Sequence, residues 1–392
     1  MRFSDKLAPY EESIFAELAA LRQRLSVQGA RVIDLSIGSP DQPPAPHVMQ
    51  ALAQGAQQGE NYRYAVQDRP ELLASVAAWY RRRFGVALDA ATQITSLLGS
   101  QDGLAHIAQA LLDVGDTVLT PDPGYPIFTI GPTLCGMRVE RMPQLRANGY
   151  LVNLDAIPQD VARRAKLMIL SYPNNPTSAV ASVAYYQDLV AFAQANDIAV
   201  LHDNAYSELT FDGLRCGSFL QAQGACDVGV EFNSLSKTYN FAGARVGFAL
   251  GNAQMVGLLR SLKSNLDFGV FLPVQLAAQA ALDGPQDQVA ATRAAYQARR
   301  DVLLDGLRAV GWDIPKPQAT MFVWAPIPEG WGQARAFAMA LAERTGVIVV
   351  PGPAFGPSGE GYVRMALVQP EESMREAVRR VADSGLLQGP AC

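Results

Sequence analysis

Along most of this chain, short unbroken apolar runs alternate with stretches in which apolar residues recur every three or four positions. The short runs are "DTVLTPDPGYP" (116–126), "AKLMILSYPNNP" (165–176), "IAVLHDNAY" (198–206), "VGVEFNSLSK" (228–237) and "RVGFALG" (245–251). Each closes in polar or turn-forming residues. A continuous apolar run of that length fits a strand buried on both faces, the usual state of a parallel sheet whose crossovers are helices. Helical spacing marks "PYEESIFAELAALRQRL" (9–25), "ELLASVAAWYRRRFG" (71–85), which ends near Gly85, and "VAYYQDLVAFAQAN" (183–196). This alternation predicts βαβ units, and so an α/β fold with a mainly parallel sheet covered on both sides.

Before these units, "RVIDLSIGSPDQPP" (31–44) predicts a short strand entering a Gly/Pro-rich loop. From about residue 273 the pattern is helical. The segments 321–328, 347–356 and 361–368 then predict three strands of a smaller α+β unit, which the N-terminal segment could join. The division expected is an N-terminal arm with part of the small unit over 1–45, a large unit over 46–285 and a small C-terminal unit over 286–392, with the boundary at "DGPQDQ".

Composition narrows the function classes. The 392 residues are 49% apolar and 18% charged, enough for a large core and unlike a disordered chain. With 37 acidic against 32 basic residues the net charge is −5, which argues against a nucleic-acid surface. "RRRF" (81–84) is the nearest approach to a basic block, and a solvated helix face explains it. Cys135, Cys216, Cys226 and Cys392 form no CxxC pair, and His47, His106 and His202 do not cluster with them, so no metal site is expected. Free thiols, an N-terminus without an apolar signal core and the absence of any run of membrane-spanning length predict a soluble cytoplasmic protein.

In sheets of this type ligands bind beyond the carboxyl ends of the strands. "SLLGSQDGLAHIAQALL" (96–112) runs from a strand through Gly99, Ser100, Gln101, Asp102 and Gly103 into a helix whose first amides can cradle an anion. A simple helix cap would look the same. The chain lacks both GxGxxG and GxxxxGK[ST], so dinucleotide and P-loop fingerprints are missing. Ser234, Ser236 and Arg245, in "EFNSLSKTYNFAGARVGFALG" (231–251), can converge on the same anion, although Arg245 also fits a surface ion pair. Lys237 lies between the two serines and the arginine and is either a surface lysine in a polar turn or a buried amine that forms an imine. Asp203 ends a very apolar strand, where a carboxylate is costly unless paired. It either caps a following helix or meets a buried cation, and Tyr206 can reach the same ligand. Tyr125, in a Pro/Gly turn, is a packed loop tyrosine or a face for a planar ring. Asn175 belongs to an Asn-Pro turn and can donate to a ring oxygen. Arg364 interrupts an otherwise apolar strand and reads as a planar fork for a carboxylate.

Taken together, "SLSKTYNFAGARVGF", "YPNNPTS", "HDNAYSE", "PDPGYPIF", "GSQDG" and "GYVRMAL" resemble, in order, the motifs of the class I/II aminotransferases, pyridoxal-phosphate enzymes of fold type I. The likeness spans almost the whole chain. "NYRYAVQDRPELLASVAAWYRRRFGV" and "AKLMILSYPNNPTSAV" are similar to the branch holding LL-diaminopimelate and glutamate–pyruvate aminotransferases. The resemblance implies pyridoxal 5′-phosphate held as an imine on Lys237, with Asp203 on its ring nitrogen, Asn175 and Tyr206 on its phenolic oxygen and Tyr125 stacked on the ring. Ser100, the backbone of Gln101 and Asp102, Ser234 and Arg245 would hold the phosphate. Tyr64 would reach the phosphate of a neighbouring subunit in a homodimer. Arg364 would fork the substrate α-carboxylate beside the backbone of Gly38.

The implied reaction moves an amino group between an L-amino acid and a 2-oxo acid, glutamate and 2-oxoglutarate forming one pair, by a ping-pong cycle. A C–S β-lyase shares the same cofactor grip. A ligand-sensing domain on this fold would carry an attached DNA-binding domain, for which the short N-terminal helix leaves little room. Three positions depart from the family pattern: Ser178 and Arg69 stand where glycine is usual, and Ala244 where tryptophan is. Arg69 is either a solvated loop arginine or a cation that closes on a distal substrate carboxylate across a dimer interface.

Overall fold

The computed structural model describes residue 7 and residues 14–389. Residues 9–13 of the first predicted helix, and Cys392, lie outside them. The chain runs from α1 (Ile14–Val27) into β1 (Ile33–Asp34), then through α2 (Pro46–Ala56), α3 (Pro70–Phe84), β2 (Ile94–Leu97) and α4 (Ser100–Leu111). Pro70 opens α3 and Gly85, at φ +71°, closes it, the asymmetry that proline and glycine favour at helix ends. Next come β3 (Thr117–Asp122), β4 (Arg138–Pro143), β5 (Ala165–Ser171), β6 (Ala199–Asp203), β7 (Gly229–Ser234) and β8 (Gly247–Gly251).

These strands form one seven-stranded sheet in the order β2-β8-β7-β6-β5-β3-β4. Strands β3 to β7 are parallel, while β8 runs antiparallel to both β7 and β2. Successive residues of β5 show why the run is unbroken in apolarity. Leu167 and Ile169 enter one core cluster with Ile107, Val118 and Phe232, and Met168 and Leu170 enter another with Leu72, Val200 and Leu250. Side chains alternate between faces, and helices cover both, so the interior positions Leu167 to Leu170 are all apolar, while exposed Lys166 sits near the strand's start. Each such side chain, fully buried, contributes about 1.5–3 kcal/mol.

After β8 the chain is helical over Ala253–Leu266, Leu272–Asp283 and Asp287–Ala309. Helix therefore begins some twenty residues earlier than the predicted position near 273. The last strands are β9 (Phe322–Pro326), β10 (Val347–Ile348), β11 (Val350–Pro351) and β12 (Tyr362–Ala366). β11, β12 and β9 form an antiparallel sheet, and β1 pairs in parallel with β10, so the N-terminal segment does join the C-terminal strands. The strand predicted over 347–356 is broken: Pro351 ends β11, and Gly352–Phe355 winds into a 3-10 turn. A further core cluster, including Leu304, Phe337, Val363 and Met374, holds this part together. Among the described residues no helix is long and apolar enough to cross a membrane, and no group of side chains is disposed to hold a metal ion.

Candidate active site

A cavity of about 530 Å³ opens beyond the carboxyl ends of the sheet strands. At one end lies the start of α4. Gly99, at φ +77°, turns the chain from β2 into the helix, and Ser100 is its first residue. The guanidinium of Arg245 lies directly over Gly99, where any Cβ would collide with it. Arg245 donates to the carbonyls of Ala242 (2.9 Å) and Leu98 (3.4 Å). Gly247 packs as closely on Ser100, since a Cβ there would lie 2.9 Å from the Ser100 amide nitrogen. Ser234 accepts from the Ser236 amide, and both serines line the cavity with Ser100, Gln101 and Arg245. A helix N-terminus, three hydroxyl groups and a guanidinium thus surround one space, the donor set that suits a phosphate.

Asp203 stands at the end of β6, 5% exposed, and its Oδ1 has no hydrogen-bond partner. Burial, with the charge of Glu231 behind it, pushes the carboxyl up to about 7, against the opposing effect of the Ala205 amide and Lys237. Such a group calls for a cation. Lys237 extends from the short helix Leu235–Thr238, and its Nζ donates to the Gly38 carbonyl at 2.7 Å. Burial and then the charges of Arg245 and Arg364 lower this amine to about 8, partly offset by Asp203. Tyr206 is buried beside them, edge-on to Phe322, and burial raises its phenol well above the ordinary value. Tyr125 donates to Gln101 Oε1 at 2.9 Å.

Arg364 lies on β12 and is 4% exposed. Its Nη1 donates to Asn175 Oδ1 (3.0 Å) and its Nη2 to the Ser36 carbonyl (2.7 Å), while Nε is unpartnered. The guanidinium is sandwiched between the rings of Phe322 (4.2 Å) and Phe355 (4.7 Å). No carboxylate neutralises it among the described residues, and burial lowers it to about 10. A planar cation held by neutral groups, with a donor to spare, is built to receive a carboxylate.

Of the residues predicted from sequence, Ser100, Gln101, Tyr125, Asn175, Asp203, Tyr206, Ser234, Ser236, Lys237, Arg245, Arg364 and Gly38 all line this cavity. Asp102 does not. Its amide donates to the Gly99 carbonyl, and its carboxylate turns away to the Leu98 amide, His106 and Lys263. Tyr64 is also absent from the cavity wall; it is 80% exposed, tilted against Phe268. Arg69 donates its amide to Gln275 and faces Glu71 at 3.5 Å, again away from the cavity. Sequence reasoning missed the Ser36 carbonyl, the two phenylalanines around Arg364, and the wall that α1 contributes through Leu18, Ala19 and Arg22. Only the aromatic content of "MFVWAP" and "GPAFG" signalled any of these.

Residues 30–381 match the family model for aminotransferase class I and II. The chain is 47% identical to LL-diaminopimelate aminotransferase of Moorella thermoacetica, covering 96% of each chain, and 42% identical to that of Dehalococcoides mccartyi, covering 98% and 99%. Among solved structures it resembles substrate-bound BacF of Bacillus subtilis, with TM-score 0.94 and 34% identity over 98% of each chain. It also resembles N-succinyldiaminopimelate aminotransferase of Mycobacterium tuberculosis, with TM-score 0.90 and 28% identity over 97% of this chain and 100% of that one.

Proposed function

The chain belongs to the class I and II aminotransferases, and from that premise we propose that its amino donor is LL-diaminopimelate or a similar diamino dicarboxylic acid, with glutamate and 2-oxoglutarate as the second pair. It is a pyridoxal 5′-phosphate-dependent enzyme that moves an amino group from an amino acid to a 2-oxo acid. Two observations support the donor. Relatives that share nearly its full length carry that name. The cavity is also lined by an acid–base pair that the cofactor does not require: Arg22 and Asp34, 3.2 Å apart. A cation and an anion, reached across the apolar surfaces of Leu18, Ile37 and Ile127, complement a substrate whose far end is itself an amino acid.

The reading rests most on Arg364, a buried cation with no counter-ion among the described residues, which opens on the same cavity as Lys237. Arg364 takes the substrate α-carboxylate and so orients the Cα hydrogen. Lys237, whose amine holds the cofactor covalently at rest, takes the Cα proton once that amine is free. It must be neutral to do so, and burial and its two arginine neighbours favour the neutral amine. In a bound cofactor Asp203 would keep the ring nitrogen protonated, Asn175 and Tyr206 would hold the phenolic oxygen, and Tyr125 would cover the ring. Ser100, Gln101, Ser234 and Arg245 would hold the phosphate. Pyridoxal phosphate, when bound, accepts the electron pair left at Cα.

We further propose a homodimer, in which Tyr64 reaches the phosphate of the other subunit, and a cytoplasmic location, which suits Cys216 and Cys226, neither of them in a disulfide. The units divide near residue 285 in this reading, just before the helix Asp287–Ala309.

The absorbance spectrum of the holoenzyme tests the function directly. Adding LL-diaminopimelate alone, or L-glutamate alone, should convert the yellow band of the lysine-bound cofactor into the shorter-wavelength band of the amine form. A spectrum that responds to glutamate and ignores diaminopimelate overturns the donor. One that ignores both overturns the two substrate pairs.

A further inference from the structure

Ser178 closes the turn that carries Asn175, and it does so at φ +62°, a conformation side chains rarely adopt. Its hydroxyl is buried, 2.7 Å from the hydroxyl of Thr320, and it donates to the Phe322 carbonyl at 2.9 Å. Thr320 is itself at φ +69°, and its oxygen accepts from the Phe322 amide at 3.0 Å. Two left-handed residues therefore meet hydroxyl to hydroxyl. One ends the turn after β5 and the other precedes β9.

Both turns lead to Arg364. Three residues before Ser178, Asn175 accepts from Nη1. Two residues after Thr320, Phe322 lies under the guanidinium, edge-on to Tyr206. The Phe322 ring also packs on Gly38, where a Cβ would come within 2.6 Å of it. We propose that Ser178 and Thr320 act as a positioning bridge for the substrate-carboxylate fork, holding Asn175 and Phe322 in register around Arg364. Neither residue lines the cavity, so both act through these two neighbours. The proposal rests on the reading of Arg364 as the carboxylate fork.

Glycine adopts φ +62° without strain, so Ser178→Gly keeps the backbone and removes the hydroxymethyl group. Thr320→Gly removes the facing hydroxyl together with a buried methyl. On the holoenzyme, the KM for L-glutamate and the inhibition constant of glutarate, which is glutamate without its amine, should each rise about tenfold in either variant, the scale of one lost buried hydrogen bond. The double variant should cost less than the sum of the singles, because both break the Ser178–Thr320 contact while each also loses its own bond to the Phe322 backbone. Meanwhile kcat, the cofactor dissociation constant and the melting temperature of Ser178→Gly should hold, and Thr320→Ser, which keeps the hydroxyl, should restore wild-type affinities. Unchanged glutarate affinity in both glycine variants overturns the bridge. So does a parallel loss of kcat, cofactor affinity and melting temperature, which marks a purely structural contact. Arg364→Ala separates the premise: if that variant binds glutarate normally, the fork reading fails, whatever Ser178 does.

Discussion

Asp203 is the residue whose surroundings say most about what is missing from them. A carboxylate with a buried, unpartnered oxygen binds its proton more tightly in the folded chain than in the unfolded one, at about 7 against 3.8. Between those values the folded state holds more protons, so the stability of the cofactor-free protein falls as pH rises from about 4 to about 7, by an amount on the order of a few kcal/mol. Asp203→Asn removes that slope. The difference in unfolding free energy between wild type and variant, followed by urea titration across this range, should grow in the variant's favour and level off near pH 7. A difference that stays flat with pH shows that the carboxylate is not strained as placed. Cofactor should reverse the order if Asp203 meets the ring nitrogen as proposed, since a protonated nitrogen would pair more strongly with a carboxylate than with a neutral amide. Asp203 and Arg364 stand out in the sequence because charged side chains within or at the ends of apolar strands are conspicuous, while the role of Lys237, on a short helix past β7, is legible only through the family resemblance. Ser36, which acts through its carbonyl, and Phe322, one aromatic residue among many, carry no such mark. Asp102 shows the same limit: residue type does not tell that its amide meets the Gly99 carbonyl and its carboxylate turns to Lys263.

At the scale of elements, the strands buried on both faces were readable, because only apolar residues survive there. The edge strand β4, with Arg138, Glu140 and Arg141, was not, because solvent on one side permits charge. The two-residue strands β10 and β11 were read as one long strand, since Val347 to Pro351 is continuously apolar and buried although Val349 lies outside both strands. The turn from β2 into α4 was located by its glycines, but their purpose is visible only in space. Gly99 combines φ +77° with the close approach of Arg245. Gly99→Ala therefore meets two costs: about 1–3 kcal/mol for an alanine at positive φ and extended ψ, a region essentially reserved for glycine, and displacement of a flexible guanidinium. The second falls on the proposed phosphate site rather than on the core. The variant should fold with a melting temperature a few degrees lower and bind pyridoxal phosphate at least about tenfold more weakly, as measured by equilibrium dialysis. Unimpaired cofactor affinity would mean that Arg245 does not hold the phosphate.

Among the described residues an aromatic surface lies exposed around Tyr62 and Tyr64. Tyr62 and Tyr64 are 64% and 80% exposed, with Phe271 and Phe268 beside them at ring distances of 5.3 and 5.1 Å and Val66 next along. Patches of this kind mark interfaces, and a two-fold dimer would place the same patch of each subunit against its copy. This is also the segment that holds Tyr64, which the proposed function needs at the other subunit's phosphate, so assembly and cofactor binding should fail together. Phe268→Glu combined with Phe271→Glu puts like charges on both sides of the contact and should yield monomers by sedimentation velocity. Those monomers should keep the far-ultraviolet spectrum of the parent and lose cofactor affinity. Tyr64→Phe should leave the dimer intact and weaken cofactor binding by about tenfold, the contribution of one hydrogen bond to a charged group. A double variant that stays dimeric moves the interface elsewhere. A monomer that binds pyridoxal phosphate as tightly as the parent shows that each subunit completes its phosphate site alone, with Arg245 and the start of α4 sufficient.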